Sequence, residues 1–157
     1  MLNTTLCYIE QDGRWLMLHR VKKQGDANRD KWIGVGGKCQ EGESPEDCMV
    51  REVREETGLT LTGYRYRGLV TFVSDQWPTE YMHLFTADRF TGALADACDE
   101  GILEWVDKAA VPQLPGWAGD RIFLSLLERE HPFFSLKLVY QGETLVRAVL
   151  DGAPLDL

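Results

Sequence analysis

Two apolar rhythms alternate along the chain. Residues 4–11 and 14–21 are apolar-rich runs split by Asp12-Gly13. Asp-Gly supplies the positive-φ positions of a tight primed turn, so the pair predicts a β-hairpin. Residues 22–31 are polar and read as a loop. Residues 32–37 are apolar but interrupted by Gly34, Gly36 and Gly37, which predicts close approach of backbone to a neighbour. Ser44-Pro45-Glu46-Asp47 is a helix start: serine suits the N-cap, proline the first helical position, acids the first turn. That helix is predicted to run to about Thr57 with Gly58 as its stop. Met49 and Val53, four apart, then share its core face. Residues 65–74, 80–89 and 102–106 predict three further strands, the first two joined by a polar turn with Pro78. Ile122, Phe123, Leu126 and Leu127 give residues 119–129 a helical period. Residues 134–140 and 144–150 predict a closing hairpin. The sum is an α/β protein with a mixed sheet and about two helices.

Composition narrows the picture. The 157 residues suit one domain spanning 1–157, with a core that needs no staples. With 44% hydrophobic and 27% charged residues, the chain is neither a disordered tail nor a low-complexity protein. Its 25 acidic against 17 basic side chains leave a charge of −8. That balance disfavours a nucleic-acid polymer as partner. It does not disfavour a small anion, because a bound metal inverts the local field. Cys7, Cys39, Cys48 and Cys98 fit no zinc spacing and read as free thiols in a reducing compartment. No secretory leader pattern opens the chain, and no apolar run approaches the roughly 18–20 residues that span a bilayer. The expectation is a cytoplasmic protein without a membrane partner, either monomer or homodimer.

Charge within the first helix breaks a local rule. Glu52, Glu55 and Glu56 fall within an arc of about 100° at 100° per residue. They lie in the last two turns, where carboxylates oppose the negative end of the helix dipole and repel one another. A helix tuned for stability alone would carry lysine or arginine there. A solvated acidic face balanced by Arg51 and Arg54 is one reading. A hard divalent cation is the other, because oxygen ligands suit Mg²⁺. Residues 36–58 hold seven acids and three bases, a net −4, which is half of the whole excess.

The spacing over residues 37–59 separates these readings. Gly37, Glu43, Arg51, Glu52, Val53, Glu55, Glu56, Gly58 and Leu59 resemble, at every fixed position, the Nudix box G-x5-E-x7-R-E-U-x-E-E-x-G-U, with U apolar. The resemblance implies a metal-dependent hydrolase of nucleoside diphosphates linked to another group, built as an α/β/α sandwich with a mixed, curved sheet. It implies that the Gly36–Gly37 backbone, Glu52 and Glu56 hold Mg²⁺, for which Mn²⁺ can substitute, with Glu55 as a further ligand. Arg51 would orient a glutamate, and Glu43 would be structural or reach the metal through water. Water must attack a crowded, anionic phosphorus, which calls for charge neutralisation and a carboxylate base. Glu52, Glu56 and the later Glu100 are the candidate bases, and the sequence leaves the choice open.

Beyond the box, the chain is similar to the MutT-like branch that hydrolyses oxidised purine nucleoside triphosphates. The carriers are residues 32–38, which end at Lys38, then Asp99-Glu100 and Trp117-Ala118-Gly119-Asp120. That resemblance implies cleavage of a nucleotide such as 8-oxo-dGTP to monophosphate and pyrophosphate. Trp117 has two readings, a base stacker and a core tryptophan. Asp120 reads a purine edge or merely starts a helix. Phe72 is a pocket wall or core, and Lys23 a phosphate contact or a solvated loop lysine. Ile33 stands where relatives that read 8-oxoguanine can carry asparagine, and isoleucine cannot make that hydrogen bond. A pyrophosphatase for another nucleotide derivative, such as ADP-ribose or a dinucleoside polyphosphate, is the same-class alternative. A catalytically silent nucleotide sensor is the different-class one.

Overall fold

The computed structural model describes residues 1–21 and 27–157. In chain order the elements are β1 (Leu2–Gln11), β2 (Arg14–Arg20), β3 (Trp32–Ile33), α1 (Pro45–Thr57), β4 (Thr60–Ser74), β5 (Glu80–Thr91) and β6 (Gly101–Asp107). A single 3₁₀ turn (Val111–Gln113), α2 (Asp120–Glu128), β7 (Phe134–Gln141), β8 (Thr144–Leu150) and β9 (Ala153–Pro154) follow.

Strands β1 and β2 form the expected hairpin, with Asp12 at φ 52 and Gly13 at φ 75 in its turn. They stay paired for only two registers, Gln11 with Arg14 and Glu10 with Trp15. Beyond that they part. β1 runs parallel to β5, from Leu2 beside Glu80 to Ile9 beside Ala87. β2 pairs along its whole length with β6, from Arg14 beside Asp107 to Arg20 beside Gly101. β4 lies antiparallel to β5 and parallel to β7, and β8 and β9 follow. The mixed, curved sheet of the sequence reading is thereby present.

Helices cover both faces. Leu6, Tyr8, Trp15 and Met17 pack with Phe123, Leu126 and Leu127 of α2. The alternate positions Cys7, Ile9, Leu16 and Leu18 pack with Met49 and Val53 of α1. Side chains alternate faces along a strand, so strands sandwiched between helices read as unbroken apolar runs. Each buried leucine, isoleucine, valine, methionine or phenylalanine among them contributes roughly 1.5–3 kcal/mol through area removed from water.

Helix α1 has the predicted bounds. The Ser44 hydroxyl accepts the Asp47 N–H at 3.0 Å, and the Asp47 carboxylate accepts the Ser44 N–H at 3.1 Å. This is a capping box with aspartate in the usual glutamate position. Gly58 ends the helix at φ 80 and donates its N–H to the Arg54 carbonyl. β4 begins at Thr60, five residues before the predicted start. The early part is polar and irregular, with register shifts around Gly63 and between Tyr66 and Gly68. Short β3 opens the glycine-punctuated segment, and β9 and the 3₁₀ turn carry no sequence signal.

Candidate active site

The glycine segment lies between β1 and the carboxylate face of α1. The Thr5 N–H bonds to the Gly37 carbonyl at 2.9 Å, and the Cys39 N–H bonds to the Asn3 carbonyl at 2.9 Å. Residues 35–39 thus run along β1 as a fragmentary extra strand, with Cys7 opposite Val35 and Thr4 opposite Lys38. A Cβ on Gly36 would stand 1.8 Å from the Thr5 carbonyl oxygen. One on Gly37 would stand 2.5 Å from the Glu52 carboxyl carbon. The backbone approach inferred from the glycines is therefore real on both sides: β1 behind, the helix carboxylate in front.

Arg51 organises the acids. Its Nε and Nη2 donate to the two oxygens of Glu43 at 2.7 and 2.9 Å. Nη1 donates to Glu52 at 2.7 Å and to Glu55 at 3.2 Å, and Nη2 also reaches the Lys38 carbonyl at 3.1 Å. A planar guanidinium suits such forked contacts. Those bonds, with the Gln40 N–H, hold the Glu43 carboxyl down at about 2.

Glu56 has the opposite environment. It is 7% exposed, and its carboxyl is pushed up to about 8 by burial, then by the charges of Glu100 and Glu52. Arg20 and the Gly36 N–H oppose that shift. Its Oε2 is buried with no hydrogen-bond partner among the described residues. Glu55, the further ligand that the resemblance implies, lies apart from Glu52 and Glu56. Its side chain is 59% exposed and rests on Arg51, on a shallow surface with Arg54 and Tyr64 rather than in the cavity. One residue on a helix turns a side chain by about 100°, enough to separate Glu55 from Glu56.

A cavity of about 550 Å³ gathers most of the remaining candidates. Gly36, Gly37, Lys38, Glu52, Glu56 and Glu100 line it together with Arg20. Phe72, Trp117, Asp120, Leu138 and Tyr140 line it too, and Ile33 belongs to the same wall. Trp117 and Phe72 are each buried in the α2-side core and also line the cavity. Trp117 donates its indole N–H to Asn28 at 2.7 Å, lies under the Lys31 ammonium, and meets Phe72 and Tyr140 edge-on. Burial pushes the Asp120 carboxyl up to about 7, with Arg121 and Lys31 opposing. Lys23 lies outside the described residues.

Sequence reasoning missed Arg20, Asn28 and Tyr140. Arg20 and Glu100 come together because β2 pairs with β6, placing Arg20 beside Gly101. A lone arginine at a strand end carries no signal of that pairing. The Tyr140 hydroxyl accepts the Gly119 N–H at 2.8 Å, a contact made by the C-terminal hairpin folding back.

The site fits a divalent cation by its donor set. An orphaned buried carboxylate oxygen, a second carboxylate against Gly37 and a third acid nearby leave excess negative charge that a cation would offset. Among the described residues, no three acidic, cysteine or histidine side chains form a ready-made cluster.

Proton linkage follows from Glu56. Its folded carboxyl holds a proton far above the ordinary 4.5, so the native state binds that proton more tightly than the unfolded chain. The resulting stability is fully present below about pH 4.5 and lost as pH rises to about 8. Asp120 adds the same trend between 3.8 and about 7. Metal-free protein is therefore expected to show a falling Tm from pH 5 to pH 8.5 in chelator, followed by circular dichroism. A Tm that rises across this window would contradict the burial of these carboxyls.

An α/β/α sandwich that brings helix carboxylates and a glycine strand to one cavity is the architecture of a nucleotide phosphoanhydride hydrolase, and this chain belongs to the Nudix family. The NUDIX domain pattern matches residues 2–127. The chain is 34% identical over 149 residues to the oxidized purine nucleoside triphosphate hydrolase of Danio rerio, covering 94% of this chain and 92% of that one. It is 33% identical over 127 residues to the Nudix hydrolase YvcI of Bacillus subtilis, covering 78% and 77%. Among solved structures, the mutator MutT protein of Bacillus halodurans superposes with a TM-score of 0.85 at 26% identity, covering 98% of this chain and all of that one. The protein is a MutT-like Nudix hydrolase, an enzyme acting on nucleotide phosphoanhydride bonds, in a family that generally uses divalent metal ions. Among the described residues, no helix is long and apolar enough to cross a membrane.

Proposed function

We propose that this chain is a Mg²⁺-dependent diphosphatase that splits an oxidised purine deoxynucleoside triphosphate, such as 8-oxo-dGTP, into monophosphate and pyrophosphate. One observation carries the reading: a single cavity joins the Glu52–Glu56–Glu100 group to an aromatic wall with Asp120. Similarity to hydrolases named for oxidized purine nucleoside triphosphates, in Danio rerio and Mus musculus, supports it. Residues 1–157 act as one catalytic domain in this reading, because β7 supplies Leu138 and Tyr140 to the same cavity.

Glu52, Glu56 and the Gly36–Gly37 peptide groups would hold Mg²⁺, which neutralises phosphate oxygens and eases loss of a proton from water. Arg51 is a positioning residue that fixes Glu52 against Gly37. Glu100, partly exposed beside Glu56, accepts the proton of the attacking water, while Arg20 and Lys38 face the polyphosphate. Glu55 stays on Arg51. The base lies along Trp117 and Phe72, where stacking and apolar contact hold a purine. Asp120, with its carboxyl near 7, offers a donor or an acceptor to the purine edge. Ile33 supplies only an apolar surface, so edge reading falls on Asp120.

A panel of nucleotides at fixed Mg²⁺, compared by kcat/KM, tests the substrate. Oxidised purine dNTPs are expected to lead. ADP-ribose or a dinucleoside polyphosphate exceeding every dNTP by about tenfold, the equivalent of 1.4 kcal/mol, would sink the reading. Asp120→Asn is expected to shift the ratio of kcat/KM between oxidised and ordinary purines by about tenfold or more, because a buried edge contact controls discrimination. Equal losses for all bases would remove Asp120 from base recognition.

A further inference from the structure

The cysteines stand outside this chemistry, and two of them meet. Gly37 faces Glu52 of α1. Cys39, two residues further along the same extended segment, points to the same side. Cys48 precedes Glu52 by four residues, one helical turn, and so occupies the same face of α1. Strand and helix thus place the two thiols as neighbours, and after burial the Cys39 thiol is among the groups that push the Cys48 thiol up. Both are free. Cys48 is fully buried, while Cys39 is half-buried. Around Cys48, the Thr5 hydroxyl lies at 3.5 Å, the Gly37 carbonyl at 3.7 Å and Arg51 Nη2 at 3.9 Å. Cys7 lies in the other direction along β1, packed against Val35 in the α1-side core. Cys98 belongs to the segment before β6.

We infer that Cys39 and Cys48 are a peroxide-reactive modification site, at which hydrogen peroxide converts the two thiols into an intramolecular disulfide. The Cys39 sulfur, the one solvent reaches, attacks a peroxide oxygen. An S–O bond forms, the O–O bond breaks, and the departing hydroxide leaves as water with the thiol proton. The Cys48 sulfur then attacks the sulfenic sulfur of Cys39. The S–S bond forms, the S–O bond breaks, and the second hydroxide takes the Cys48 proton and leaves as water. Two thiols lose two electrons in all, and one peroxide gains them. The bridge closes the turn between the glycine segment and α1, residues 39–48, that carries Glu43. It also gives Cys39 a reversible end point short of sulfinic acid.

Peroxide treatment of the folded protein, followed by alkylation and peptide mass mapping, tests this. In the native sequence, alkylation of Cys39 and Cys48 is expected to fall together by about tenfold, with a linked peptide that lacks two hydrogens and is restored by dithiothreitol. In Cys48→Ser, Cys39 has no resolving sulfur and is expected to gain two oxygens irreversibly. In Cys39→Ser, Cys48 is expected to stay reduced and alkylatable once the protein is unfolded. Over-oxidation of Cys39 in the native sequence while Cys48 remains a thiol would overturn the inference. So would a linked peptide containing Cys7 or Cys98 instead.

Discussion

Glu56→Gln is expected to lower kcat by about a thousandfold, within the range that removing a single carboxylate from acid–base or metal-assisted chemistry produces. The argument rests on the Glu56 environment. Its buried Oε2 has no partner among the described residues, and Glu52 and Glu100 press on it electrostatically. An amide there is nearly isosteric but cannot offer a charged oxygen. The fold is expected to survive, because the carboxyl is largely neutral near pH 7 in the metal-free protein. Glu55→Gln is the matched control. Glu55 rests on Arg51 at the surface, so its loss is expected to cost less than about tenfold, at most the weight of an exposed ion pair. Pyrophosphate release at saturating nucleotide and Mg²⁺ measures both. A Glu56→Gln enzyme within tenfold of the native kcat, or a Glu55→Gln enzyme equally impaired, would reverse the assignment.

Gly36→Ala is expected to be the most destabilising single methyl in the site. The added carbon would stand 1.8 Å from the Thr5 carbonyl oxygen and 2.6 Å from its carbon, both backbone atoms of β1. No rotamer relieves that overlap, so either β1 or the glycine segment must move, breaking the bond from the Thr5 N–H to the Gly37 carbonyl. A cost of about 3 kcal/mol or more is expected, lowering Tm by roughly 6–12 °C in a chain of this size. Gly13→Ala separates crowding from backbone strain. Gly13 sits at φ +75 with nothing within 4 Å of the added carbon, so only the left-handed conformation, about 1–2 kcal/mol, is at issue. Thermal melts of the two variants measure the difference, and equal shifts would refute the crowding argument.

The parts of this site written in local sequence were the legible ones. Ser44, Pro45 and Gly58 state the limits of α1 through capping chemistry, and the structure has the same limits. Gly36 and Gly37 announced a close backbone approach without saying to what. The acids of α1 were readable as a set, but not their division: Glu52 and Glu56 face the cavity, while Arg51 draws Glu55 outward. Glu100 was visible only through resemblance, because its meeting with Arg20 depends on a β2–β6 pairing across some 80 residues. Asn28 and Tyr140 were invisible for the same reason, since hydrogen bonds to Trp117 and Gly119 exist only once distant segments pack.

The parallel pairing of β1 with β5 and of β4 with β7 also dictates when the enzyme can become whole. Leu2 must find Glu80, and Gly68 must find Phe134. Contacts this distant along the chain slow folding, since loop closure precedes any reward. The glycine segment and α1 neighbour each other in sequence and can meet early. The aromatic side of the cavity waits for Leu138 and Tyr140 on β7. A nascent chain therefore carries Glu52, Glu56 and Glu100 well before it has the cavity that they line with Leu138 and Tyr140.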